Sequence, residues 1–225
     1  MGILSNNNTN SDQDQVANFY FPTSKNALII FTRNPELGTC KTRLAKTIGD
    51  DATLEIYKHL LKHTAETAKK ISADRFVFYS EAIEKEDLWN PDFFKKKLQE
   101  GTDLGDRMEN AFSELFQLGY EKVVIIGSDL LDLMAEIISE GFQKLNQYNY
   151  VLGPAEDGGY YLFGMKQLHP KIFKNKDWGT ESVLHDTLKD LEKSNFYLLE
   201  TLNDIDTFED IEGIESLKKY YIKYD

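Results

Sequence analysis

The chain has 225 residues, 41% of them hydrophobic and 28% charged, which is ordinary for a water-soluble globular protein and enough for one well-buried core. Its net charge of −12 argues against a nucleic-acid groove or an anionic membrane surface as partner, because both need a net attraction for phosphates. No apolar run approaches the ~20 residues that cross a bilayer, the first residues lack an apolar signal core, and the lone Cys40 rules out an internal disulfide, so the reading is a cytoplasmic protein with no membrane insertion.

Residues 1–24 are rich in Asn, Ser, Asp and Gln and contain the run Asn6-Asn7-Asn8, which predicts a disordered tail or an added leader. Residues 25–225 then form a single domain. From Ala27 onward, short β-branched runs alternate with helical periodicity, the pattern of βαβ units on a mostly parallel sheet with helices on both faces, hence an α/β protein. Ala27–Thr32 is the first strand and a loop from Arg33 to Lys41 follows it. Asp51–Ile71 places Leu54, Tyr57, Leu61, Thr64, Ala68 and Ile71 on one helical stripe. Arg75–Tyr79 is a second strand. Glu81–Gln99, with Trp89, Phe93 and Phe94 beside Lys95-Lys96-Lys97, reads as an excursion over the sheet. Gly105–Leu118 is a helix stopped by Gly119. Val123–Ile126 is a strand, and Asp132–Gln147 a helix with Asp132 as N-cap. Tyr150–Gly153 and Tyr160–Met165 are strands joined by a tight turn at Gly158-Gly159, which suggests an antiparallel member in a mixed sheet. Thr180–Ser194 is helical and Phe196–Leu199 a strand. Thr207 and Asp210 make a capping-box pattern opening a last helix through Tyr220.

Two of these strands end in glycine-flanked carboxylates. Val123–Ile126 runs into Gly127-Ser128-Asp129, and Tyr150–Gly153 runs into Pro154-Ala155-Glu156-Asp157-Gly158-Gly159. Ligands of α/β proteins bind outside the carboxyl ends of the strands, so these acids point at a common crevice. A hard cation such as Mg²⁺ fits one or two such carboxylates together with the oxygens of a substrate phosphate. The competing reading is an ordinary strand-to-helix turn at each place.

After the first strand, Pro35 to Arg43 sets Gly38, Lys41, Thr42 and Arg43 ahead of a short helix ending near Gly49, where backbone N–H groups and two cations can cradle a diphosphate. It is not a Walker loop, and a solvated helix face is the alternative. Asp204 and Asp206 stand just before the last helix. Asp206 could complete a metal site with Asp129, or both could serve only as caps. Gln99 to Met108 offers Asp103, Gly105 and Arg107 at the start of a long helix, with capping again as the alternative. His59 and His63 stand one helical turn apart but lack a third zinc ligand nearby. Cys40 has no evident base partner and is read as a loop residue. Trp178 is either core or a wall on which a sugar or base could stack.

As an ordered set, Pro35…Gly38…Lys41-Thr42-Arg43-Leu44, Asp103-Leu104-Gly105…Arg107-Met108, Gly127-Ser128-Asp129, Gly153-Pro154-Ala155…Asp157-Gly158-Gly159-Tyr160-Tyr161, Trp178…Thr180 and Asp204-Ile205-Asp206…Glu209-Asp210 resemble one family. It is the glycosyltransferase-like family named radical-SAM/selenodomain-associated transferase, in the GT-A nucleotide-diphospho-sugar transferase superfamily. The resemblance spans roughly Ala27 to Ile211. It implies a Rossmann-like GT-A fold, three-layer α/β/α, whose first loop holds nucleotide phosphates through Lys41 and Arg43. It also implies Asp129 as metal-binding acid and Asp206 as second ligand of Mg²⁺ (or Mn²⁺). Gly38, Thr42, Asp103, Gly105, Arg107, Gly158, Gly159 and Trp178 complete the expected nucleotide site. The chain departs from the family pattern at Leu130-Leu131, where a cysteine-containing step is usual, at Gly179, where Ser is common, and at Phe208, where Pro is frequent.

The leading expectation is a Mg²⁺-dependent transferase that passes the sugar of a nucleotide-diphospho-sugar to a small-molecule acceptor. Lys41 and Arg43 would absorb charge on the leaving diphosphate, and Asp157 would be the acceptor's general base. A nucleotidyltransferase acting on an NTP and a phosphorylated small molecule is the alternative, and a non-catalytic nucleotide-binding protein a further one. Nothing in the sequence fixes an oligomeric state.

Overall fold

The structure is a computed structural model that describes residues 22–222. Residues 1–21, most of the expected tail, lie outside the described residues. Within that tail assignment, Thr23 is fixed: its backbone N–H donates to Asp74 Oδ2 at 2.8 Å and its hydroxyl donates to Asp74 Oδ1. Ser24 Oγ accepts from the Asn26 N–H at 3.0 Å, so the chain is ordered just before its first strand.

Seven strands form one mixed sheet: β1 (Asn26–Thr32), β2 (Asp74–Tyr79), β3 (Lys95–Leu98), β4 (Lys122–Ile126), β5 (Tyr150–Pro154), β6 (Tyr160–Met165) and β7 (Phe196–Leu198), in the order β3-β2-β1-β4-β6-β5-β7. All run parallel except β6, which pairs antiparallel with both β4 and β5. The tight return at Gly158-Gly159 therefore inserts β6 between two parallel strands. Every other strand delivers its carboxyl end to the same edge, where an α/β sheet holds its ligands.

Two helices, α2 (Asp50–Lys69) and α4 (Ala135–Lys144), cover one face of the sheet, burying Leu61, Ala65, Ile138 and Phe142 against Val77, Val124 and Val151. On the other face α3 (Leu104–Gln117), a 3₁₀ turn (Pro170–Phe173) and α5 (Val183–Asp190) pack Met108, Phe112, Leu115 and Phe173 on Phe76, Ile125 and Phe163. Three layers result, as the sequence pattern and the family resemblance both imply. A smaller cluster joins α1 (Thr42–Ile48), α2 and α6 (Glu215–Tyr221) through Leu44, Ile56, Leu60 and Leu217, with Ile205 and Ile211 between them.

Four sequence expectations change. Lys95–Leu98 is an edge strand, not loop: its lysines lie at the sheet border, where charge is tolerated and blocks further pairing, and Lys96 pairs with Asp87 at 2.7 Å. The preceding excursion does cover the sheet edge, with Trp89 and Phe94 buried edge to face at 5.1 Å. Asp132 caps nothing, because α4 starts at Ala135 with Met134 before it, and Leu130 and Leu133 are buried in the connecting loop instead. The helical stretch expected from Thr180 begins at Val183 and ends at Asp190. Thr207 and Asp210 close a turn well ahead of α6. There Asp210 Oδ2 accepts from the backbone N–H groups of Asp206 (3.0 Å) and Thr207 (2.6 Å) and from the Thr207 hydroxyl (2.9 Å).

Candidate functional site

At the carboxyl edge of the sheet lies a cleft with two lobes that share Phe31, Leu104, Gly127 and Asp129 as their common ridge. The larger lobe, about 590 Å³, is bordered by Arg33, Lys41, Arg43 and Arg107. The smaller, about 300 Å³, is bordered by Met108, Tyr160, Trp178 and Val183 with Asp157 and Asp204.

Lys41, on the larger-lobe side of the ridge, is the hub of its charges. It has a left-handed backbone (φ 47°, ψ 49°) at the N-cap of α1, and its side chain is only 10% exposed. The Nζ lies 2.6 Å from Asp129 Oδ2, 3.6 Å from Asp204 Oδ2 and 4.0 Å from Asp206 Oδ1. Burial alone would lower the Lys41 pKa, but the charge and hydrogen bond of Asp129, with Asp204 and Asp206 behind them, outweigh it and hold the value above that of an ordinary lysine. Asp204 is pushed up by burial and by the charges of Asp129, Asp157 and Asp206, against the pull of Lys41. Arg43, largely exposed, binds Asp206 Oδ2 through Nη1 at 2.7 Å. The sequence reading aimed Lys41 at a ligand phosphate; in the structure its ammonium is engaged by carboxylates, and Arg43 is the cation that faces open solvent.

Backbone bonds fix these acids. The Ile205 N–H donates to Asp129 O at 3.2 Å, tying the β4 turn to the segment after β7. Leu202 N–H donates to Pro154 O and the Glu156 N–H donates to Leu202 O, both at 3.1 Å, which brings the Asp157 turn alongside. Asp210 then holds the backbone of Asp206 as described above.

Among the described residues no group of three His, Cys, Asp or Glu side chains is arranged to hold a metal ion. Two carboxylates around one cation are nonetheless what Asp129 and Asp206 provide, with the Lys41 ammonium standing between them. A hard divalent cation held there would have to take the place of that ammonium between the two carboxylates, with phosphate oxygens and water as its other ligands.

Residues 63–180, more than half of the chain, match the family described as an uncharacterized protein conserved in bacteria (DUF2064). The chain belongs to this family. No curated protein sequence matches it. Among solved structures, the DUF2064 chain is similar to a protein from Desulfovibrio desulfuricans G20 provisionally described as a nucleotide-diphospho-sugar transferase. The identity is 28% and the TM-score 0.79, over 88% of this chain and 93% of that one. It also shares its fold with a cytidylyltransferase from Leptospira borgpetersenii serovar Hardjo-bovis (16% identity, TM-score 0.56, 88% of each chain). A third is the 4-diphosphocytidyl-2C-methyl-D-erythritol synthase of Anaerococcus prevotii DSM 20548 (12% identity, TM-score 0.55, 87% of this chain and 95% of that one). The Rossmann-like α/β architecture is thus that of nucleotide-sugar and nucleotidyl transferases. The family match includes Asp103, Arg107, Asp129, Asp157 and Trp178, while Lys41, Arg43 and Asp206 lie outside it.

The expected site residues divide between the lobes. Lys41, Thr42, Arg43, Asp103 and Arg107 border the larger one with Asp129 and Asp206. Asp103 also caps α3, its Oδ1 accepting the Asp106 N–H at 2.8 Å, so the capping and site readings of this residue coexist. Asp157, Gly159 and Trp178 border the smaller lobe, away from Arg43. Gly38, Gly105 and Gly158 border neither: Gly38 supplies a left-handed backbone (φ 76°), and the other two act through packing. A Cβ on Gly105 would stand 2.3 Å from Phe173 O and 2.5 Å from Trp178 Nε1, so this glycine seats the tryptophan. Gly158 (φ 86°) lets the turn bearing Asp157 pass against the Glu181 backbone, which would be 2.3 Å from a Cβ. His59 and His63 are structural: their rings meet the Tyr220 hydroxyl and Leu133 O, each at 3.2 Å. Cys40 is buried, its Sγ donating to Asn34 O at 3.4 Å.

Sequence reasoning did not single out Arg33, Gln99 or Tyr57, which border the larger lobe. Arg33 follows directly on β1, a position from which strand polarity alone could have drawn it into the site. Gln99 caps strand ends, Nε2 donating to Phe78 O at 2.9 Å, and Tyr57 accepts the Arg33 N–H at 3.1 Å from within α2. Those two become visible only once the helix and sheet are docked.

Proposed function

We propose that the protein is a nucleotide-utilising transferase that takes the sugar of a nucleotide-diphospho-sugar and passes it to a small-molecule acceptor. The observation that carries this reading is the Lys41, Asp129, Asp206 and Arg43 network on the ridge between two lobes of opposite character. The likeness to the Desulfovibrio protein supports it.

In this reading the nucleoside lies in the larger lobe and its diphosphate on the ridge. Arg43 offers a guanidinium fork that suits phosphate oxygens. Lys41 neutralises the carboxylates beneath, so that a second anion can approach without meeting their full charge. Asp129 and Asp206 would hold Mg²⁺ or Mn²⁺, which supplies Lewis-acid stabilisation of charge on the leaving diphosphate. Asp157, its Oδ1 held by the Gly159 N–H at 2.8 Å, stands at the smaller lobe, where it can take the acceptor's proton. The acceptor oxygen or nitrogen then forms the bond to the sugar's anomeric carbon, the bond from that carbon to the diphosphate oxygen breaks, and the electron pair leaves on the nucleoside diphosphate.

Calorimetric titration of the parent and of Asp129→Asn with UDP, GDP and their sugars, in Mg²⁺ and in EDTA, tests this. Metal-stimulated binding in the parent and its loss in the variant are expected. Identical metal-independent binding in both proteins would remove Asp129 from the metal site. Nucleotidyl transfer is the second reading, favoured by the basic border of the larger lobe, where Arg33, Lys41, Arg43 and Arg107 could serve a triphosphate. Release of pyrophosphate rather than nucleoside diphosphate would select it.

A further inference from the structure

The two lobes differ in charge. Among the described residues, every basic side chain that borders the cleft belongs to the larger lobe, and no Lys, Arg or His borders the smaller one. The smaller lobe instead meets three carboxylates, Asp129, Asp157 and Asp204, with the Lys41 ammonium behind the ridge to offset one of them. Its remaining wall is aromatic and aliphatic, chiefly Trp178, Tyr160, Met108 and Val183. A donor's diphosphate and a divalent cation would cancel each other, so loading the larger lobe leaves the sign of the smaller one negative.

We propose that the smaller lobe selects an unphosphorylated acceptor, neutral or cationic, that presents a hydroxyl or amine to Asp157 and an apolar or aromatic body to Trp178 and Tyr160. A phosphate or carboxylate brought here would be desolvated beside like charges with no cation or basic side chain of the lobe to pair with, which is the costly arrangement. An ammonium would meet carboxylates on one side and an indole face on the other, both attractive. The volume of about 300 Å³ is at the small end for ligand sites, so the attacking end of the acceptor is compact. This inference rests on the transferase reading for its term acceptor. It also bears on nucleotidyl transfer, since the lobe disfavours a nucleotidyl acceptor that is itself a phosphate.

Trp178 reports on the lobe, because the other tryptophan, Trp89, is buried under Phe94 on the far edge of the sheet. The full chain is titrated with phenethylamine, 2-phenylethanol and 2-phenylethyl phosphate, following tryptophan emission, with Trp178→Phe to assign the signal. The amine and the alcohol are expected to shift emission saturably, with the phosphate at least ~10-fold weaker, and Trp178→Phe is expected to abolish the response. In the Asp157→Asn, Asp204→Asn double variant the preference of amine over alcohol should fall by roughly 3-fold or more while the alcohol still binds. Binding of the phosphate as tight as that of the amine, or no saturable response to amine or alcohol, would overturn the proposal. UDP and GDP titrations by calorimetry on the same samples read the larger lobe separately. Nucleotide binding with phosphate preferred in the smaller lobe would sink the inference alone, and amine binding without any nucleotide binding would sink the transferase reading while upholding the selectivity of the lobe.

Discussion

Lys41 Nζ lies 2.6 Å from Asp129 Oδ2, joining a helix N-cap to the end of a strand 88 positions further along the chain. Asp204 and Asp206 complete the surroundings of the same ammonium, so one buried cation balances three acids delivered by two separate turns. Removing it leaves like charges crowded on the ridge.

Lys41→Met is therefore expected to destabilise the fold. Losing one partner of a buried pair costs about 3–5 kcal/mol, and because the acids here are partly exposed the loss should be nearer ~2 kcal/mol. Mg²⁺ should restore more stability to the variant than it adds to the parent, since a cation that binds only the folded state raises its melting temperature by mass action. Thermal melts with and without Mg²⁺ check both statements. A variant as stable as the parent in EDTA would show that the ammonium is not what holds the acids together.

Arg43 differs in kind, being exposed and, among the described residues, in an ion pair with Asp206 alone. Arg43→Ala should change stability by no more than the ~0–1 kcal/mol of a surface pair, yet remove a charge-assisted contact of about 1.5–3 kcal/mol to a bound diphosphate. UDP or GDP affinity should then drop by roughly 10- to 100-fold. Unchanged affinity by calorimetry would take Arg43 out of the nucleotide site.

The contrast between these two residues shows how far the sequence could be read. Strand and helix periods laid out β1, β2, α2, α3 and β4 closely, because each buries a long regular apolar stripe. Lys95–Leu98 escaped, since an edge strand of lysines has the composition of a loop and its identity depends on β2 lying next to it. The Asp210 turn also looked like a helix cap locally, and only the path of the chain toward Asp129 made it a clamp on Asp206. In the same way the sequence joined Asp129 and Asp206 as a possible metal pair and set Lys41 apart on a phosphate loop. That the lysine faces acids rather than solvent, and that Trp178 belongs to a different lobe from Arg43, follow from tertiary contacts no local pattern encodes.

Gly105 offers a test of how the smaller lobe is shaped. Its missing side chain leaves room for the Trp178 indole and the Phe173 carbonyl, and a methyl group would overlap both. Gly105→Ala should cost about 1–3 kcal/mol by overpacking, and should change Trp178 emission in the absence of ligand. Wild-type stability by urea unfolding together with an unchanged emission spectrum would mean that the indole is not seated by this contact.

At the opposite edge of the sheet, Asp74 anchors Thr23, just ahead of β1. Its carboxylate accepts from the Thr23 N–H and hydroxyl and from the Tyr120 hydroxyl at 2.6 Å, and Lys95 Nζ lies 3.7 Å away. Burial works against ionisation, but the hydrogen bonds from Thr23 and Tyr120 and the charge of Lys95 outweigh it, so the Asp74 pKa lies below that of a free aspartate. A carboxyl whose folded value is depressed adds stability that is present above its unfolded value and is lost as pH falls through the folded one. Asp74→Asn replaces one carboxylate oxygen by an amide NH2, which donates and cannot accept, so either the Thr23 hydroxyl or the Thr23 N–H and Tyr120 hydroxyl together lose their acceptor, a loss of about 1–3 kcal/mol at neutral pH. The gap between parent and variant in urea unfolding should shrink steadily once the pH drops below the ordinary carboxylate range, because the parent's carboxyl then protonates and forfeits the same bonds. A gap that stays constant from neutral to acid pH would show that the ionised Asp74 carboxylate is not what ties Thr23 to the sheet.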